Sequence, residues 1–95
     1  MDKSVSIIIP AYNEEKKLSP TADLVFASLL KNGISDFEII IFDDASTDKT
    51  GEVADDLAMQ FSQIKVVHNA KNMNLGFNIT RGFQLATKEY VGFVP

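Results

Sequence analysis

Phe37-Glu38-Ile39-Ile40-Ile41-Phe42-Asp43-Asp44 is an apolar, β-branched run that stops abruptly on two carboxylates. A run this short and this continuously apolar reads as a strand covered on both faces, the pattern of a parallel sheet. Working outward, Val5-Ser6-Ile7-Ile8-Ile9 has the same character and ends at Pro10. Ile64-Lys65-Val66-Val67 ends at His68-Asn69, and Tyr90-Val91-Gly92-Phe93-Val94 ends at Pro95.

Helical periodicity fills the gaps between these runs. Ser19-Pro20 reads as a helix start, with Ser as N-cap and Pro at the first helical position. Behind it Ala22, Val25, Phe26, Leu29 and Leu30 share a face, and Asn32-Gly33 reads as the stop. A second helix is expected from about Thr47-Asp48, burying Val53, Leu57, Ala58 and Phe61. A third, less regular, spans roughly Gly76 to Thr87, with Ile79, Phe83 and Ala86 on one side. The order βαβαβαβ predicts an α/β fold, a Rossmann-like three-layer arrangement with a mostly parallel sheet and right-handed crossovers. The final strand has no helix after it, so residues 1–95 read as part of a domain that would normally continue.

Composition narrows the function classes. The 95 residues carry a net charge of −4, which argues against a nucleic-acid binder, and no cysteine, which excludes disulfides and thiolate metal sites. The N-terminus lacks the long apolar stretch of a signal peptide, and no run approaches the roughly 20 apolar residues of a membrane span. The expected location is the cytoplasm, with membrane association left to sequence beyond residue 95.

In open parallel α/β sheets, ligands bind beyond the carboxyl ends of the strands. That rule selects Pro10-Ala11-Tyr12-Asn13-Glu14, Asp43-Asp44-Ala45-Ser46, the stretch from His68-Asn69 to Gly76, and Pro95. None contains the glycine spacing of a dinucleotide loop or a P-loop. Tyr12 beside Glu14 suits a nucleobase, the ring offering a stacking face and the acceptor reading N–H edges. Equally, Tyr12 packs over a helix and Glu14 is a solvated loop charge. Asp43 and Asp44 point to opposite sides of the strand end, so only one need face a cleft. Asp43, which directly ends the apolar strand, is favoured as the ligand acceptor, and capping is favoured for Thr47 and Asp48. His68, the single histidine, reads as a local hydrogen-bonding group. Arg81, Lys16-Lys17 and Asp55-Asp56 read as solvated charges.

The residues Val5 to Glu15, with Leu18 and Pro20, resemble the opening motif of family 2 glycosyltransferases. Glu38 to Thr50 resembles that family's second motif, an apolar strand followed by D-D-x-S-x-D-x-T. Asn72 to Gly82 is similar to a third segment, with Asn74 where the family commonly has Gly, and with Gly76 and Gly82 matching. The resemblance implies the N-terminal half of a GT-A fold and a nucleotide-diphosphate-sugar donor such as a UDP- or GDP-sugar. It also implies a divalent cation, Mg²⁺ or Mn²⁺, whose D-x-D motif is expected after Pro95. By the match, Pro10, Ala11, Tyr12 and Glu14 should line the nucleoside pocket together with Asp43, Asp44 and Gly76, Asp43 accepting from the base. No catalytic residue and no metal ligand is expected within residues 1–95. Two competing readings are a non-enzymatic nucleotide-binding or interaction module, and a receiver-like phospho-acceptor domain. The latter needs a further acidic strand end, where this chain has His68-Asn69.

Overall fold

Ile7-Ile8-Ile9 lies alongside Ile39-Ile40-Ile41, residue for residue, in a parallel ladder at the centre of the sheet. The structure, a computed structural model, describes residues 3–95. Its elements are β1 (Ser4–Ala11), α1 (Leu18–Lys31), β2 (Asp36–Asp43), α2 (Thr50–Gln60), β3 (Ile64–His68), α3 (Leu75–Leu85) and β4 (Tyr90–Phe93). The strand order is β3-β2-β1-β4, and every pairing is parallel. The expected α/β order is therefore present.

Strand alternation divides the apolar residues between two faces. Ile9, Ala11, Phe37, Ile39 and Ile41 pack with Leu18, Ala22 and Leu29 of α1 and with Ala54 and Leu57 of α2. Ile8, Ile40 and Phe42 pack on the other side with Leu85 and Val91. Ile8, Ile39, Ile41 and Phe42 have no exposed surface at all, which is why both central strands read as unbroken apolar runs.

Expectations for each of the three helices need correction. Helix α1 begins at Leu18, earlier than Ser19-Pro20, because the chain is already wound by the bonds from the Lys17 and Leu18 N–H groups to the Glu14 carbonyl. Pro20 then sits in the first turn, where its missing N–H leaves nothing unsatisfied. Leu30 is exposed, while Leu29 is buried. The stop at Asn32-Gly33 holds: Gly33 takes φ 75°, and the Ile34 N–H bonds the Leu29 carbonyl at 2.9 Å.

Helix α3 buries Asn78 and Gly82, while Phe83 is half exposed. The apolar stripe misled because close approach, not size, decides this contact. A Cβ on Gly82 would lie 2.5 Å from Ile8 Cδ1, so only glycine lets the helix settle against β1. Helix α2 starts at Thr50, with Asp48 Oδ1 accepting from the Thr50 N–H at 2.8 Å. Neither expected cap is the N-cap, which is Lys49 without a side-chain bond: Asp48 closes a local turn onto Thr50, and the Thr47 hydroxyl turns to Asn13 Oδ1.

One charge is buried at the opposite end of the sheet from the loops of interest. Glu38 on β2 is 2% exposed and accepts from Ser6 Oγ, Lys65 Nζ, and the N–H and hydroxyl of Thr87. Burial alone would raise its pKa, but these bonds outweigh it and hold the carboxyl at about 2, against an ordinary 4.5. One side chain thereby ties β1, β3 and the α3–β4 connection to β2.

Two stability predictions follow from these positions. Because Glu38 titrates lower folded than unfolded, its contribution is complete above pH 4.5 and is lost as pH falls toward 2. Glu38→Gln should unfold about 2 kcal/mol more easily at neutral pH. In thermal melts across pH the gap from wild type should close on the acid side; a constant gap would contradict the assignment. Asn74 adopts φ 77°, ψ 168°, a region otherwise reserved for glycine, while its side chain caps α3 through the Phe77 N–H. Strain there is worth about 1–3 kcal/mol, and exchanging Asn for Gly at an N-cap loses only a few tenths. Asn74→Gly should therefore raise stability by about 1 kcal/mol, read as a higher urea midpoint at unchanged slope.

Candidate functional site

Where the β1–β2 ladder ends, at Ala11 opposite Asp43, the two chains leave the sheet side by side and are stitched together. The N–H of Asn13 bonds Ser46 Oγ at 3.0 Å, that of Glu14 bonds Thr50 Oγ1 at 2.8 Å, and that of Glu15 bonds Asp48 Oδ2 at 3.3 Å. In return Asn13 Oδ1 accepts from the Thr47 N–H at 2.8 Å. The stitching needs sharp backbone at two places: Asn13 takes φ 52° and Ala45 φ 60°. Asn accepts that conformation readily; Ala does so at a cost.

Asp44 is the second knot. It is 5% exposed. Its Oδ1 accepts from Asn69 Nδ2 at 2.9 Å and the Met73 N–H at 2.8 Å, and its Oδ2 from the Asn74 N–H at 3.1 Å. Burial pushes its pKa up, but these donors, with the Asn78 amide nearby, prevail and hold it below the usual carboxylate value. Asn69 Nδ2 also bonds Asn78 Oδ1 at 2.7 Å, so β3, α3 and the turn after β2 converge on one carboxylate.

These loops border an open cavity of about 360 Å³ over the carboxyl ends of β1 and β4. Pro10, Ala11, Tyr12, Glu14 and Asp44 line it, as does Asn78 from α3. Tyr12, one of the lining residues, is 49% exposed. Asp43 and Gly76 lie outside the lining. Asp43 Oδ1 is taken by the Ser46 N–H at 3.1 Å and Oδ2 by His68 Nδ1 at 2.9 Å. A Cβ on Gly76 would meet only Asn74 Oδ1, at an ordinary 3.6 Å, so no close approach requires that glycine. The strands are parallel, as expected, but the acid that shares a cavity with Tyr12 is Asp44.

Sequence reasoning missed Asn78, Lys17 and Leu75 in the lining. A polar residue in the middle of an apolar helix pattern was the available signal for Asn78. Lys17 carried none, being one of two adjacent lysines that read as solvated. Among the described residues, no group of three or more His, Asp or Glu side chains could hold a metal ion, so this site does not itself fit the implied cation. No described helix is long and apolar enough to cross a membrane.

A sequence profile of glycosyl transferase family 2 matches residues 6–94. Among relatives, the uncharacterized glycosyltransferase EpsJ of Bacillus subtilis (strain 168) is 40% identical over 90 residues, covering 95% of this chain and 25% of EpsJ. The dolichol-phosphate mannosyltransferase of Pyrococcus furiosus is 35% identical over 83 residues, covering 87% of this chain and 22% of that protein. The chain thus spans about a quarter of the length of these relatives. Residues 1-349 of S. aureus TarS in complex with UDP-GlcNAc superpose with TM-score 0.72 at 28% identity, over 99% of this chain and 26% of TarS 1-349. The mannosyltransferase PcManGT of Pyrobaculum calidifontis, solved with GDP-Man and Mn²⁺, superposes with TM-score 0.79 at 21% identity, over 96% of this chain and 26% of its own, which speaks for the fold. With the matched profile covering nearly its whole length, the chain belongs to glycosyl transferase family 2.

Proposed function

We propose that this chain is the donor-binding part of a glycosyltransferase, taking a nucleotide-diphosphate sugar whose sugar the whole protein transfers to an acceptor. The observation that carries the reading is the convergence of Tyr12 and Glu14 from the end of β1, Asp44 from the end of β2 and Asn78 from α3 on one cavity. Family membership and the nucleotide-sugar complexes named above support it.

In this reading the Tyr12 ring stacks on the base. Asp44, ionised by the donors around it, accepts a base N–H, taking the role first expected of Asp43. Pro10 and Ala11 form the floor, and Glu14 and Lys17 flank the polar part of the ligand. A UDP- or GDP-sugar carries negative charge on its diphosphate, and Lys17 is the cation on the cavity wall. The described residues contribute binding and orientation, which lower a barrier by holding reactants in place. No step of the proposal runs through a metal ion, and none of these residues is assigned a proton-transfer role. The proposed location is the cytoplasm or the cytoplasmic face of a membrane.

The chain has two tyrosines and no tryptophan, so in Tyr90→Phe protein the fluorescence belongs to Tyr12 alone. UDP or GDP should quench it, and calorimetry on the same protein should give a matching affinity. Removing the ring in Tyr12→Ala should weaken binding about tenfold, the stacking contribution of one base. Absence of quenching and of heat with both nucleotides at millimolar concentration, on protein with an unchanged melting curve, would remove the reading.

A further inference from the structure

A second polar cluster lies on the far side of Asp43 from the cavity. His68, the last residue of β3, sits between two carboxylates. Its Nδ1 is 2.9 Å from Asp43 Oδ2, and its Nε2 is 2.8 Å from Asp55 Oδ1 on α2. Helix α2 can come this close because residue 51 is glycine: a Cβ there would fall 2.7 Å from Asp43 Oδ2 and 3.4 Å from His68 Cε1.

The cluster is joined to the cavity by an unbroken path. Asp43 Oδ1 accepts from the Ser46 N–H at 3.1 Å, and Ser46 Oγ accepts from the Asn13 N–H at 3.0 Å. That last N–H belongs to the peptide joining Tyr12 to Asn13. The path also holds the turn through Ala45, whose φ of 60° does not persist without outside support.

We propose that His68 is a positioning residue for the ligand cavity: as imidazolium it holds Asp43 and Asp55 at once, and so fixes the turn on which the Tyr12 peptide rests. This builds on the reading that the cavity takes a nucleotide. The charge state matters for a counting reason. Imidazolium has two N–H donors, and neutral imidazole has one. Once neutral, His68 presents a bare lone pair to one carboxylate, and that contact opens. The charged groups facing the ring are Asp43 from β2 and Asp55 from α2, and its ion pairs among the described residues are with these two. Both acids raise its pKa above the ordinary 6.5, Asp43 most, against a smaller opposing effect of burial. The sign follows: the double link is complete below pH 6.5 and is lost as pH rises through the raised value.

The test is an NMR titration of the full chain from about pH 5.5 to about pH 9, the range in which imidazole changes charge. The His68 ring signals and the amides of Ser46 and Asn13 should move with one common midpoint above 6.5. In His68→Gln those two amides should stay still over the same range. Asp55→Asn, which alters only the exposed link, should lower the midpoint while leaving the amides coupled to it, and this keeps the test available if His68→Gln misfolds. In parallel, UDP affinity should fall several-fold toward alkaline pH in wild type, and the fall should be absent from His68→Gln, which cancels any titration of the nucleotide itself. A His68 that titrates while Ser46 and Asn13 do not respond overturns the proposal, as does measurable UDP binding with the same pH profile in wild type and His68→Gln. Co-titrating amides with no binding of UDP or GDP at any pH would instead remove the nucleotide reading.

Discussion

Everything at the functional end of this molecule depends on how two loops solve a shared shortage of partners. Parallel strands exhaust their ladder bonds where the sheet ends, at Ala11 and Asp43. Beyond that point the backbone N–H groups of Asn13, Glu14 and Glu15 need acceptors. They find them in the side chains of Ser46, Thr50 and Asp48. Asn13 closes the arrangement by giving its own side-chain oxygen to the Thr47 N–H. The result is a pair of loops that behave as one rim, and the cavity keeps its shape because that rim does.

The sheet also separates its two buried kinds of carboxylate by end. Glu38 lies among the residues where the strands begin, where its partners tie secondary structure together. Asp44 lies where the strands finish, and its partners are loop and helix-start N–H groups. Both are kept ionised by hydrogen bonds despite burial, so both favour folding at neutral pH and lose that contribution in acid. The same physics supports structure at one end and presents a fixed negative charge beside a cavity at the other.

The central strands were legible because an isoleucine triplet covered on both faces leaves no other reading. The rim was legible only in outline. Topology pointed to the right segments, and Pro10, Ala11, Tyr12, Glu14 and Asp44 do surround one cavity. The choice between Asp43 and Asp44 was not legible. Alternation says that two neighbouring acids diverge, but not which one reaches the cavity: Asp43 is taken up by Ser46 and His68, and Asp44 lines it. Helix α3 failed for a related reason. Its packing face is marked by a missing side chain at Gly82 and a satisfied amide at Asn78, and apolar periodicity counts neither.

The saturation of Asp44 sets a limit on what it can offer a ligand. A carboxylate has about four acceptor positions, and three are occupied by Asn69, Met73 and Asn74. The remaining position is on Oδ2, whose one hydrogen-bond donor is the Asn74 N–H. A base N–H would therefore find one acceptor position left, and would receive a single bond. Discrimination among bases would then rest less on the number of bonds to Asp44 than on what Tyr12 and Asn78 add around it. A carboxylate that also holds three chain segments together cannot swing out to meet a second donor without releasing them. The rigidity that fixes the cavity is thus the same feature that restricts its hydrogen-bonding vocabulary.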